Sequence, residues 1–150
     1  MSKINITLIK KLREETGVAI IRIREVLEEV DGNEKKALEI LKKEGIEKAA
    51  KREGRATGEG KIFVYAHHTG RIVGVVELLC ETDFVAKTDV FETLGRDLAM
   101  QVASMGDTKL EEQDFIKDGN KKIKDLIKEV VAKTGENVRP GKVIRVELGH

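Results

Sequence analysis

Along residues 1–45 apolar positions return at helical spacing and are interrupted three times by turn residues. Leu8, Ile9 and Leu12 precede Thr16-Gly17, and Ile20, Ile23, Val26, Leu27 and Val30 run up to Asp31-Gly32. Ala37, Leu38 and Leu41 follow a capping-box pattern, Asp31 with Glu34, and lead to Gly45. The spacing predicts three short helices, each stopped at a glycine. Helices this short are marginal alone, so they are expected to pack on one another as a three-helix module over 1–45. Residues 42–55 then turn to Lys, Arg, Glu and Ala, with Ile46, Ala49 and Ala50 as the apolar points, before Gly54, Gly58 and Gly60. That composition predicts a helical basic linker over 46–60 ending in a glycine hinge.

The period changes after Gly60. Residues 61–67 and 71–81 are β-rich runs joined by His67-His68-Thr69-Gly70, a hairpin signal. The second run, Ile72-Val73-Gly74-Val75-Val76-Glu77-Leu78-Leu79-Cys80, is apolar on both faces, so helices should cover one side and another surface the other. Two helices are predicted next. Residues 89–105 would bury Val90, Leu94, Leu98 and Val102, and about 120–133 would bury Ile123, Leu126, Ile127, Val130 and Val131. The alternation over 142–148 predicts a third strand. The fold class is therefore α+β, with the helical module followed over 61–150 by a small antiparallel three-stranded sheet packed with helices.

Composition narrows the function. The 150 residues are 37% charged yet carry a net charge of only +1, so the surface lacks the global field on which nucleic-acid binders rely. Aromatics are scarce, four Phe and one Tyr, so the core must be aliphatic and an exposed Phe becomes conspicuous. The single cysteine, Cys80, can form neither an intrachain disulfide nor a multi-cysteine zinc site, which fits a reducing compartment. Residues 1–5 show no signal-peptide core, and no stretch approaches the ~20 apolar residues that span a bilayer, so a cytoplasmic location without a membrane partner is expected.

Candidate chemistry is sparse. Adjacent on a strand, His67 and His68 would point to opposite faces, and no further spacing completes a metal site, so a solvated hairpin tip is the reading and no metal or cofactor is expected. Cys80 lies in an apolar run and reads as a buried structural thiol. Residues 54–61 only superficially suggest a phosphate loop, since Arg55 and Ile62 stand where Gly and Ser or Thr are required, so no direct nucleotide binding is expected. The basic residues Lys42, Lys43, Lys48, Lys51, Arg52 and Arg55 interleave with Glu44, Glu47 and Glu53 and have no stacking aromatic, so a self-pairing solvated face is preferred to nucleic-acid binding.

The informative segment is Glu81-Thr82-Asp83-Phe84-Val85-Ala86-Lys87-Thr88, a connector between a strand and a helix that Thr88 should cap. Phe84 has two readings. It folds back into the core as a helix staple, or a rigid junction presents it to a partner as an aromatic wedge with a polar collar.

The run Val76-Glu77-Leu78-Leu79-Cys80-Glu81-Thr82-Asp83-Phe84-Val85-Ala86 is similar to the Glu-Thr-Asp-Phe-Val-Ala signature of the elongation factor Ts family. The resemblance extends to Leu12-Arg13-Glu14-Glu15-Thr16-Gly17, to residues 32–45, to Ala49-Ala50-Lys51-Arg52, to Val73-Gly74-Val75, to Lys133-Thr134-Gly135-Glu136-Asn137 and to Glu147-Leu148-Gly149. It implies an N-terminal module like ubiquitin-associated domains and a core that grips the GTPase elongation factor Tu. The implied activity is guanine-nucleotide exchange without covalent chemistry. Thr82, Asp83, Phe84 and Val85 would enter the GTPase and dislodge its magnesium, and Arg13, Ile20, Ile21 and Arg24 would make a second contact.

Two departures accompany the resemblance. Ala19-Ile20-Ile21-Arg22-Ile23 stands where many members carry Gly-Met-Met-Asp-Cys, which reverses a charge. The chain is also short, reaching its terminal motif after only residues 107–119. Short members dimerise, which implies a homodimer, and Ile144 replaces a cysteine seen in one short form, so that dimer should be non-covalent. Two alternatives stay open. One is a pure protein-binding module, which predicts that residues 1–45 alone retain partner binding. The other is an RNA-associated role, which predicts a steep loss of binding with salt.

Overall fold

The structure, a computed structural model, describes residues 5–150, apart from the side chains of residues 46, 48–50 and 52. The expected apolar points Ile46, Ala49 and Ala50 of the linker, and its cations Lys48 and Arg52, lie outside what is described. Three helices open the chain: α1 (Ile6–Thr16), α2 (Ile20–Glu29) and α3 (Glu34–Arg52). They enclose a core of Ile9, Leu12, Ile23, Val26, Leu27, Ala37 and Leu41, all marked by helical spacing; Leu8, Val30 and Leu38 are only partly buried against it, and Ile20, marked likewise, is exposed. Gly17 ends α1 in the left-handed conformation, φ 69°, its N–H donating to the Arg13 carbonyl, a geometry that costs a side-chain-bearing residue energy.

Two boundaries differ from expectation. The cap of α3 is Asn33, whose side chain accepts from the Lys36 N–H, while Asp31 sits two residues earlier at φ 55° in the reversal between helices. Gly45 does not stop α3. The helix continues through it to Arg52 because the following residues are good helix formers and because Gly45 packs close to the helix of residues 123–134, where an added Cβ would lie 3.8 Å from Ala132 Cβ. The third helix and the helical part of the linker are thus one element.

A three-stranded antiparallel sheet follows, in the order β1 (Glu59–Ala66), β2 (Ile72–Cys80), β5 (Arg139–Glu147). The β1–β2 turn is closed by the His67 N–H donating to the Ile72 carbonyl at 2.9 Å. On one face lie α5 (Asp89–Met105) and α6 (Ile123–Thr134), sealing a second core around Phe63, Val76, Leu78, Phe91, Leu98, Val102, Ile123 and Val131. Gly74 and Gly95 set how closely α5 approaches, the first under the α5 backbone and the second under the Phe63 ring. A short helix, α4 (Asp83–Ala86), joins β2 to α5. A two-stranded hairpin, β3 (Asp114–Phe115) with β4 (Asp118–Lys122), joins α5 to α6.

The hairpin corrects the start of the second long helix. Residues 118–122 are extended, and α6 begins at Ile123, where the Asp125 side chain accepts from the Lys122 N–H at 2.9 Å. The expected third strand begins earlier, at Arg139, because a register irregularity between Val76 and Leu78 lets the edge strand accept Pro140, which has no N–H to give. Among the described residues no helix is long and apolar enough to cross a membrane.

Candidate partner interface

The strand-to-helix junction is built around Thr82. Its hydroxyl caps α4 by accepting from the Val85 N–H at 3.3 Å, and Thr88 caps α5 in the same way from the Phe91 N–H. Within the single turn between the two caps, Asp83 and Phe84 face outward and Val85 and Ala86 face inward. Val85 and Ala86 are only 4% exposed and belong to the core, while Phe84 between Asp83 and Val85 is 77% exposed. Phe84 does not fold back as a staple. Asp83 and Lys87 form an exposed pair at 3.5 Å beside it. Val85, expected among the contacting residues, is instead turned inward and anchors the turn that carries Phe84.

The junction is tied down from behind. Glu136, just past Gly135 at the end of α6, accepts from the Glu81 and Thr82 N–H groups at 3.1 and 3.0 Å and from the Thr82 hydroxyl at 2.7 Å. Glu81 returns the bond, accepting from the Asn137 N–H at 2.6 Å. The Asn137 side-chain amide donates to the carbonyls of Glu53 and Arg55, fixing the segment after α3. Sequence reasoning missed Glu136 and Asn137 because their partners lie over fifty residues away.

Cys80 lies beneath the same junction, its thiol donating to the Thr82 carbonyl at 3.1 Å, and burial pushes its pKa up, with the Glu136 charge adding to the effect. A raised thiol pKa and a fully covered sulfur make it a poor nucleophile. Native Cys80 is expected to react with iodoacetamide at least ~10²-fold more slowly than the denatured chain, as read by mass spectrometry. Rapid labelling of the native protein would contradict this environment. At the hairpin tip His67 and His68 stack at 4.2 Å, with His67 Nδ1 bonded to Thr69 Oγ1. Among the described residues no group of three His, Cys, Asp or Glu could hold a metal.

The second set of expected residues is displayed by the other core. Ile20 and Ile21 at the start of α2 are exposed, Ile21 at 73%, and Arg24 is exposed one turn on. Arg13 is exposed on α1 and donates to the Val18 carbonyl at 3.1 Å, bracing the loop that leads to Ile20. The charge reversal at Arg22 is absorbed within the module. Its guanidinium bonds Glu44 of α3 and Glu25 and Glu29 of α2, stapling two helices together.

Comparison with known proteins bears on this arrangement. The family model described as elongation factor TS matches residues 81–150, the stretch that begins at the junction. A protein of Thermotoga neapolitana named elongation factor Ts is 39% identical over 193 residues, covering 98% of each chain. Its namesake in Thermotoga maritima is 40% identical over 193 residues, covering 98% of this chain and 97% of its own. A third, from Fervidobacterium nodosum, is 35% identical over 195 residues, covering 98% and 99%. The match to the first runs over 193 positions against 150 residues here, so at least 43 of its positions, the difference, have no counterpart in this chain.

Proposed function

This chain belongs to the elongation factor Ts family and is a translation elongation factor, and from that premise we propose that it binds elongation factor Tu carrying GDP and drives the nucleotide out. The observation that carries the reading is Phe84, 77% exposed on a turn whose next two residues are 4% exposed. A large apolar ring costs free energy when left in water, and here its neighbours are buried while it is not. A rigid, doubly capped turn of this kind delivers an aromatic anchor without paying an ordering entropy on contact.

In this reading Asp83 and Phe84 enter the GTPase and shift the elements that hold magnesium. Magnesium and the phosphate loop retain GDP largely by electrostatics, so displacing the ion loosens the phosphates. Accelerating release about 10⁴-fold requires ~5.5 kcal/mol of differential stabilisation, within reach of a desolvated aromatic anchor and its polar collar. Coupling is reciprocal: whatever the junction does to weaken GDP, GDP and then GTP do to weaken the hold of this protein, which leaves and acts again. The exchange needs no covalent chemistry. The exposed patch of Arg13, Ile20, Ile21 and Arg24 makes the second contact, so the helical module and the core act as two grips joined through α3. Such a partner sets the site of action in the cytoplasm.

We also propose a non-covalent homodimer through the open face of the sheet. Val64, Val75 and Ile144 stand in one cross-strand row and Ala66, Val73 and Val146 in the next, on the side away from α5 and α6. Val64 is 61% and Ile144 51% exposed, an apolar stripe of the kind that marks an interface. Light scattering is expected to give twice the 16.7 kDa chain mass, and Val75→Glu to return the single mass. A wild-type mass of one chain would remove the dimer from the account.

The exchange proposal is tested by release of fluorescent GDP from elongation factor Tu, with acceleration by orders of magnitude expected. Stable binding without acceleration would favour a plain binding module.

A further inference from the structure

The four-residue helix that carries Phe84 is too short to hold its own shape, since the first turn of a helix costs more than its one hydrogen bond returns. Something outside must define it, and Glu136 is the group that reaches it. One carboxylate oxygen takes the N–H groups of Glu81 and Thr82, and the other takes the Thr82 hydroxyl at 2.7 Å. That hydroxyl, its proton now committed, presents its lone pairs to the Val85 N–H and so opens α4. An ionised acceptor makes these bonds short and strong relative to neutral ones. The sheet does not need them, because β2 and β5 are already laddered, with Leu79 opposite Arg139. The carboxylate thus acts on the direction of the turn more than on the existence of the fold.

We propose that Glu136 is a positioning residue for nucleotide exchange, holding Asp83 and Phe84 in the orientation that enters the GTPase; this rests on the wedge reading above. Its bonds to the junction go to Glu81 and Thr82, not to Asp83 or Phe84. Its influence runs through the Thr82 hydroxyl to the first turn of α4, and from there to the ring. Positioning of this kind governs the step in which the wedge is inserted more than the encounter that precedes it, which the second contact also supports.

The test measures release of fluorescent GDP from elongation factor Tu against the concentration of this protein, for the wild type and for Glu136→Ala, Glu136→Asp, Glu136→Gln and Phe84→Ala, well below their melting temperatures. Glu136→Ala is expected to lower the maximal rate about tenfold while shifting the half-saturating concentration less than about twofold. Glu136→Asp, one methylene too short to span both amides and the hydroxyl, should behave alike. Glu136→Gln keeps the length and one acceptor oxygen and should lose less than about threefold. In a chain already carrying Phe84→Ala, adding Glu136→Ala should cost less than about threefold, because the two act through one element. If Phe84→Ala is slow while Glu136→Ala and Glu136→Asp match the wild type, or if the double variant shows independent losses, the positioning role is refuted and the wedge stands. If Phe84→Ala itself matches the wild type, the wedge reading falls and this inference with it.

Discussion

Replacing Phe84 with alanine is expected to slow GDP release from elongation factor Tu by about 10²-fold at saturating protein, with the melting temperature unchanged within about 2 °C. The two halves of the prediction come from one geometry. The ring is 77% exposed and contributes little to the fold, so its loss leaves the core of Val85, Ala86, Phe91 and Leu98 as it was. Buried against a partner, the same ring becomes an anchor whose truncation costs roughly 2–4 kcal/mol, and each 1.4 kcal/mol is a factor of ten. Val85→Ala is the control with the opposite signature. Its side chain is in the core, so stability should fall first and exchange only as α4 loosens. Stopped-flow release and thermal unfolding, run on the same samples, separate the two.

Gly74→Val is expected to be the most damaging single change to the core, costing about 3 kcal/mol or more and lowering the melting temperature by roughly 10 °C. A Cβ at this position would overlap the Ala99 carbonyl oxygen and lie 2.7 Å from the Ala103 backbone nitrogen. Those are main-chain atoms of α5, so no rotamer change relieves the contact. The helix must lift from β2, which opens the layer that buries Val76, Leu98 and Val102. Circular dichroism melting reads the effect, and a variant as stable as the wild type would mean that α5 does not pack where it is described.

The elements with long regular patterns were legible in the sequence, because burial and periodicity agree there. Ile23, Val26 and Leu27 in α2, and Leu94, Leu98 and Val102 in α5, recur at helical spacing and are buried. The antiparallel hairpin followed from the turn residues between two apolar runs. Boundaries set by tertiary contact were not legible. Gly45 reads as a stop, yet it serves α3 where that helix meets Ala132 of α6. Residues 120–122 read as the start of a helix and are held in a strand, on a hairpin braced by Gln101. That fully buried side chain donates to the Asp114 carbonyl and accepts from the Ile116 N–H. Nothing local in a mid-helix glutamine announces such a role.

The candidate site divides along the same line. The motif around Phe84 stood out because an aromatic is rare in this chain, but its two readings could be separated only by seeing which neighbour faces inward. Glu136 and Asn137 were visible as part of a resemblance and not as a mechanism, since their bonds to Glu81, Thr82 and the segment after α3 cross more than fifty residues. Arg22 illustrates the converse. The reversed charge there becomes a salt-bridged staple between α2 and α3, leaving Ile20, Ile21 and Arg24 exposed on the surface.

The central claim is that the junction carrying Phe84 opens the magnesium-bound phosphate site of elongation factor Tu. Its most direct test is the release rate of fluorescent GDP from that GTPase, with and without this protein, at millimolar and at trace magnesium. The account predicts acceleration by orders of magnitude at millimolar magnesium and a smaller factor at trace magnesium, where part of the work has already been done. No acceleration at either concentration, or the same factor at both, would contradict it.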